Sequence, residues 1–141
     1  MKPEYTDKLL ETVNKSALTH PNDAQTALHT VYAAIVQGNF DLFGESVTDD
    51  VEMSICGFGS MNGTWRGRSA VVDATQRNFS LVSSQEPELQ GMISQGESIA
   101  VLLRERGVFK STGEPYNVRV VQWFTFSDGK IKRMDQIVAC V

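Results

Sequence analysis

Apolar residues recur along this chain first at the three-to-four spacing of helices and then at the two-residue spacing of strands. Residues 4–18 carry Leu9, Leu10, Val13 and Leu18, the stripe of a short amphipathic helix that breaks at His20-Pro21. The clearest helix begins at Asn22 or Asp23. Ala24, Ala27, Leu28, Val31, Tyr32 and Ile35 share its face until Gly38 ends the pattern. Asn39 caps a second, shorter helix with Phe40, Phe43 and Val47 facing inward and Asp49-Asp50 closing it.

Residues 51–56 read as a strand, followed by an irregular, glycine-punctuated stretch from Gly57 to Gly63. Helix returns after Gly67, capped at Ser69, with Val71, Val72, Thr75 and Phe79 on its inner stripe. Everything after Pro87 reads as β. Strands are expected at 89–94, 99–109, 118–126 and 131–138, separated by turn signals at 95–97, 111–115 and 127–130. Asp128-Gly129 between two such runs signals a tight hairpin, because both central residues of that turn need positive φ. Helices followed by antiparallel strands predict an α+β domain with helices on one face of a curved sheet, an arrangement that leaves a cavity.

At 141 residues, 41% of them hydrophobic, the chain fits one domain with its own core, residues 1–22 forming a helical extension to a core of about 24–139. The net charge is −4 and the basic residues are scattered, so no stretch can neutralise successive phosphates and nucleic acid is not an expected partner. The polar start, Met1-Lys2-Pro3-Glu4-Tyr5, lacks the features of a secretory signal, and no apolar run is long enough to span a bilayer, so a cytoplasmic protein without membrane association is expected. Cys56 and Cys140 each stand in an apolar, strand-like stretch and are expected to pack as small reduced hydrophobes rather than as a disulfide. With only two histidines and no His-x-x-x-His or Cys-x-x-Cys spacing, no metal site is expected. Gly57-x-Gly59 lacks the downstream Gly-Lys-Ser/Thr of a phosphate loop, and Asp73 with Arg77 four residues on reads as an exposed ion pair.

Four segments carry a resemblance: Tyr32-Ala33-Ala34-Ile35-Val36-Gln37-Gly38-Asn39, Thr48-Asp49-Asp50-Val51, Trp65-Arg66-Gly67-Arg68 and Phe126-Ser127-Asp128-Gly129-Lys130-Ile131. In this order and spacing, over residues 24–139, the chain resembles the SnoaL-like (polyketide cyclase/ketosteroid isomerase-like) branch of the NTF2-like superfamily. The resemblance implies an α+β cone, helices packed on a curved, mostly antiparallel sheet around a pocket, often dimeric through the opposite sheet face. It implies no single function, since such proteins include cyclases, isomerases, epoxide hydrolases and proteins without catalysis.

The same resemblance supplies candidate residues. Tyr32 falls near the tyrosine with which steroid isomerases donate a hydrogen bond to an enolate oxygen; it also reads as a core tyrosine with some other hydroxyl partner. The isomerase's proton-abstracting aspartate falls on Ile55, which cannot move a proton. Arg104-Glu105-Arg106 interrupts an apolar strand; epoxide hydrolase-like members carry Arg-x-Asp there, and Arg104-x-Arg106 lacks its carboxylate, so a solvated or interfacial strand face is the alternative. SnoaL-like cyclases place a base on the last strand. Alternation turns Asp135 inward with Ile131 and Ile137, whereas family spacing turns Gln136 inward. An Asp135 in the pocket would be desolvated and hold its proton more tightly.

Asp135, Tyr32 and Arg104 are thus the candidate catalytic groups, and Met53, Phe58, Trp65, Gln122, Phe124, Met134 and Gln136 the candidate ligand-binding residues. His29 reads as a helix boundary residue. The expected function is binding of a mainly apolar small molecule, with cyclase- or isomerase-type proton transfer that uses no cofactor; the alternative is a non-catalytic binding or interaction module. Val121 and Trp123 alternate with the inner residues Val120, Gln122 and Phe124, so an apolar outer face suited to a homodimer is expected.

Overall fold

The structure, a computed structural model, describes residues 23–141. The helix expected over residues 4–18 lies outside the described residues. Helix α1 (Asp23–Val36) buries Leu28, Val31 and Tyr32 of the predicted stripe, with Ala27 and Ile35 partly buried, and adds Ala34, which the stripe did not include. It stops at Gly38, whose φ of +70° lets Gly38 and Asn39 donate back to the Ile35 and Ala34 carbonyls. Asn39 then caps α2 (Phe40–Glu45), its side chain accepting from the Leu42 N–H at 3.1 Å.

Val47, expected on the inner face of α2, instead begins strand β1 (Val47–Cys56). The helix closes at Ser46, whose carbonyl accepts the Ile131 N–H, and Val47 pairs with Ile131 in the sheet. A register shift between Val47 and Glu52 leaves Asp49 and Asp50 exposed beside this start rather than at a helix end. A short 3-10 turn (Gly59–Met61) follows, and then β2 (Gly63–Arg66), a strand the sequence did not announce. It has only four residues, paired antiparallel to β1. Helix α3 (Arg68–Ser80) starts at Gly67 with no side-chain cap, so Ser69, the expected cap, sits inside the first turn.

The remaining strands are longer than predicted: β3 (Val82–Gln95), β4 (Ser98–Phe109), β5 (Pro115–Ser127) and β6 (Lys130–Cys140). β3 begins ahead of Pro87, which is tolerated because β3 is an edge strand, where a residue without an N–H can be accommodated. The sheet order is β2-β1-β6-β5-β4-β3, antiparallel throughout except for the parallel β1–β6 pair. At the β5–β6 hairpin both Asp128 and Gly129 have positive φ, as the Asp-Gly signal requires.

One sheet face carries the core. Val51, Met53, Ile99, Val101, Leu103, Val120, Phe124, Met134 and Val138 are buried beneath the helices. The other face is uncovered, with Leu102 38%, Val121 39%, Trp123 46% and Ile137 58% exposed. Cys56 and Cys140 are free but exposed, not packed as small hydrophobes: both stand at strand ends, and Cys56 pairs with exposed Ile137 on the uncovered face. No helix among the described residues is long and apolar enough to cross a membrane.

Phe43, fully buried where α2 meets the core, sets the scale of this packing. Phe43→Ala is expected to lower the unfolding free energy by about 3–5 kcal/mol. Ile93→Ala, at a position 74% exposed on β3, should change it by no more than about 0.5 kcal/mol, both read by urea denaturation.

Candidate active site

Between the helices and the covered sheet face lies a cavity of about 160 Å³. Its apolar wall includes Met53, Ile55, Phe58, Met61, Phe79, Leu103 and Val138, drawn from β1, the turn after it, α3, β4 and β6. Apart from Thr75 and Asn78 on α3, its polar groups fall into two sets.

The first is centred on Glu105. Strand β4 turns Ile99, Val101 and Leu103 inward, and the same parity carries Glu105 into the cavity wall. Its carboxylate accepts from the Tyr116 hydroxyl at 2.8 Å and from Gln85 Nε2 at 3.0 Å. Burial raises the Glu105 pKa; the two hydrogen bonds pull it partly back. Burial, and next the adjacent Glu105 charge, likewise push the Tyr116 phenol up, so Tyr116 remains a hydrogen-bond donor.

Gly107 makes this contact possible. It pairs directly with Tyr116 across the β4–β5 ladder, and a Cβ there would stand 2.4 Å from the phenol ring and 2.5 Å from the Ser84 carbonyl oxygen. The bare backbone lets the Tyr116 ring lean over it towards Glu105. Phe58 holds that ring from the other side, edge-on at 5.4 Å, and is itself fixed by its N–H donating to Asn62 Oδ1 at 2.7 Å.

The second set is a chain of amides. Tyr32 donates its hydroxyl to Gln122 Oε1 at 2.6 Å, and Gln122 Nε2 donates to Gln136 Oε1 at 3.3 Å. Gln122 and Gln136 both line the cavity and are cross-strand partners; Tyr32 stands behind them, edge-to-face with Phe124. Complete burial drives the Tyr32 phenol far above its usual range. It reaches the cavity only through Gln122, so its partner is a side chain and its role is to orient that amide.

The expected constellation of Asp135, Tyr32 and Arg104 does not converge. Gln136 occupies the inward position on β6 and Asp135 projects from the opposite face, so family spacing, not the alternation with Ile131, gives the orientation; a register shift between Thr125 and Phe126 separates Ile131 from the parity of the rest of β6. There Asp135 accepts from Ser54 Oγ at 2.6 Å and from Arg133 Nε at 2.9 Å. Partial desolvation works against its charge, but these bonds outweigh it and hold the Asp135 pKa below the usual carboxylate range, opposite to the shift a pocket base needs. Arg104 shares the outer parity of Leu102 and donates to Asn117 Oδ1 at 3.3 Å; Arg106 follows it and is exposed.

Of the candidate ligand-binding residues, Met53, Phe58, Gln122 and Gln136 line the cavity. Phe124 and Met134 are buried in the core without lining it. Trp65 packs on the edge strand under the Arg77 guanidinium, 5.6 Å from the ring centroid, and Arg77 forms no ion pair with Asp73. Half-buried His29 does not line the cavity. Glu105, Tyr116, Gln85 and Asn78 went unrecognised as site residues; parity along residues 99–105 was the signal that would have found the first. Among the described residues no three His, Cys, Asp or Glu side chains gather into a metal-binding group.

The family described as the SnoaL-like domain matches residues 28–134. The chain belongs to that family. Solved structures share its NTF2-like fold at low identity. An NTF2-like protein of Burkholderia xenovorans LB400 superposes with a TM-score of 0.73 at 22% identity, covering 83% of this chain and 89% of that one. A Jannaschia sp. CCS1 protein described as a SnoaL-like polyketide cyclase gives 0.71 at 17%, covering 82% and 85%. An LEH-like epoxide hydrolase of M. tuberculosis gives 0.67 at 17%, covering 83% of each chain. No curated protein matches the chain.

The raised Glu105 pKa has a sign that can be checked. Below the ordinary glutamate range the carboxyl is protonated whether folded or unfolded, and its burial exacts no charge penalty. As pH climbs from that range through the raised folded pKa, the folded state binds more protons than the unfolded one, so stability falls. Glu105→Gln is expected to flatten this fall, its melting temperature gaining on the parent as pH rises above the ordinary glutamate range. Parallel melting curves for the two proteins would contradict the assignment.

Proposed function

We propose that this SnoaL-like protein is a cofactor-independent proton-transfer enzyme acting on a small uncharged molecule, with Glu105 as the acid–base group. The observation that carries the reading is a carboxyl in an otherwise largely apolar cavity wall, held by Tyr116 and Gln85 and made less acidic by burial. A carboxyl tuned this way can hold a proton closer to neutrality than a solvated glutamate and exchange it with a bound carbon or oxygen acid. Gln136 faces the same space with its Nε2 unpartnered among the described residues, a donor available to a carbonyl or enolate oxygen. The cyclase and epoxide hydrolase descriptions of two structural neighbours support small-molecule chemistry in this fold. The second reading, a non-catalytic binding module, is favoured by Ile55, which occupies the place of the isomerase base and lines the cavity as plain hydrocarbon.

Exchange of α-hydrogens of cyclic ketones with deuterated water, followed by proton NMR, tests the proposal. Glu105→Gln should slow exchange by about 10²–10⁴-fold, whereas Asp135→Asn should leave it within a few-fold. No exchange by the parent protein, with ligands still bound, selects the binding module.

We further propose a homodimer through the uncovered sheet face. Leu102, Val121 and Ile137 are successive cross-strand partners and form one apolar row, with Trp123 beside it. Val121→Glu is expected to shift sedimentation at micromolar concentration from dimer to monomer; a parent protein that sediments only as monomer rejects this assembly.

A further inference from the structure

An amide side chain carries a donor and an acceptor on two arms of nearly the same shape, so packing alone does not choose which way it points. In the chain Tyr32–Gln122–Gln136 the choice is made by the hydroxyl at the closed end. Tyr32 is buried against Phe124, and Gln122 Oε1, at 2.6 Å, is the one partner its hydroxyl has among the described residues. Burial keeps the phenol protonated, so there is always a proton to place there. Turning Gln122 round would set its Nε2 against that hydroxyl and leave a buried O–H unmade, a costly exchange. Gln122 therefore keeps Oε1 towards Tyr32 and donates from Nε2 to Gln136 Oε1 at 3.3 Å. Gln136 cannot turn either, since two amide nitrogens would then face each other.

The open end of the chain follows from this. Gln136 Nε2 has no partner among the described residues, yet it is not one of the buried polar atoms left unpartnered, which are Arg68 Nε and Asn78 Oδ1. It keeps accessible surface. Strand β6 runs between β1 and β5, so an inward side chain in its middle is reached only from the helix side, where half-buried Gln136 and its cross-strand partners Gln122 and Ile55 all line the cavity. The cavity meets a donor here. No lysine, arginine or histidine lines it and Glu105 adds an acid, so a carboxylate or phosphate acceptor is not accommodated. The volume, about 160 Å³, matches one small ring, since a cavity of about 150 Å³ accommodates benzene.

We propose that Tyr32 is a positioning residue: its buried hydroxyl fixes the direction of both amides, so that Gln136 presents N–H to the cavity and the site takes small cyclic ligands with a carbonyl oxygen in preference to ligands that offer a donor. This rests on the reading of the cavity as a small-molecule site and names its ligand class; it holds whether or not Glu105 moves a proton.

The probes are cyclopentanone, which only accepts, and pyrrole, which donates through its N–H, each titrated into the full chain and followed by NMR at neutral pH. Tyr32→Phe keeps the ring and removes the proton, so the two directions of the chain become comparably populated. Pyrrole, which binds the reversed chain, should then bind about tenfold more tightly and cyclopentanone about twofold more weakly. Damage to the cavity would weaken both. In the parent protein the C=O stretch of bound cyclopentanone should lie below its frequency in cyclohexane, the mark of an accepted hydrogen bond, and Gln136→Leu should return it. The proposal is overturned by absence of cyclopentanone binding, by an alkane-like stretch in the parent protein, by a lowered stretch that persists in folded Gln136→Leu, or by pyrrole binding that fails to tighten in folded Tyr32→Phe. The parent spectrum stands even if neither variant folds. Opposite shifts of the two probes without ketone exchange support this role of Tyr32 and sink the proton-transfer reading; exchange that depends on Glu105, without those shifts, sinks the role of Tyr32 alone.

Discussion

The two-residue period of the ladders joining β4, β5 and β6 is the constraint on which the cavity rests. Each residue of these strands belongs either to the covered face or to the open one, and pairing locks the three strands to a common parity. Gln122 lies opposite Gln136 and Val101, so an amide pair and a valine stand in one inward row. The next row outward holds Leu102, Val121 and Ile137. A slip of one residue in β4 would put Arg104 in the cavity and Glu105 on the open face. The hydrophobic demand of Ile99, Val101 and Leu103 for the core forbids that slip, so the placement of the carboxyl is enforced by residues that never touch it.

Glu105 is the carboxyl in the cavity wall, the kind of group that burial alone most disfavours. Its desolvation is offset by two side-chain donors, and one of them depends on a glycine directly across the ladder. The arrangement is local to the end of the sheet where β3, β4 and β5 run together, while the Tyr32–Gln122–Gln136 chain lies further along β5. Glu105 and Val101, the residue opposite Gln122, are four positions apart on β4, roughly 13 Å at strand rise. The two polar sets therefore do not touch through their strands.

Much of this was legible in the chain. The stripe from Leu28 to Ile35, the Asn39 cap and the Asp128-Gly129 turn are local signals, decided by residues a few positions apart, and the structure follows them. Val47 and β2 were not legible, because each is made a strand by its pairing partner rather than by its own pattern: Ile131, far along the chain, for the first, and the nearby β1 edge for the second. The site divided along the same line. Inward Gln122 and Phe124 followed from alternation, but Asp135 was misdirected by including Ile131 in its parity across the irregularity beside Phe126. Glu105 was overlooked because its charge drew attention to its arginine neighbours, when the apolar residues two and four positions earlier already fixed its direction. Asn78 carries no sequence signal, since only the folded protein brings it to the cavity wall.

The parallel β1–β6 pair, one strand in from the β2 edge, bears on how the protein is made. β1 is synthesised early, yet its ladder partner β6 comes from residues 130–140 at the end of the chain. While the ribosome is still adding the intervening helix and strands, β1 has only the four-residue β2 to hold, and the apolar side chains of Val51, Met53 and Ile55 have an incomplete wall to pack against. In the sheet order the final strand lies between β1 and β5, so it alone links the early β1–β2 pair to β3, β4 and β5. Such long-range closure is slow relative to hairpin formation and leaves strand edges open in the meantime. A ribosome stalled before residue 130 would therefore present a nascent chain for chaperones rather than a domain with its cavity formed.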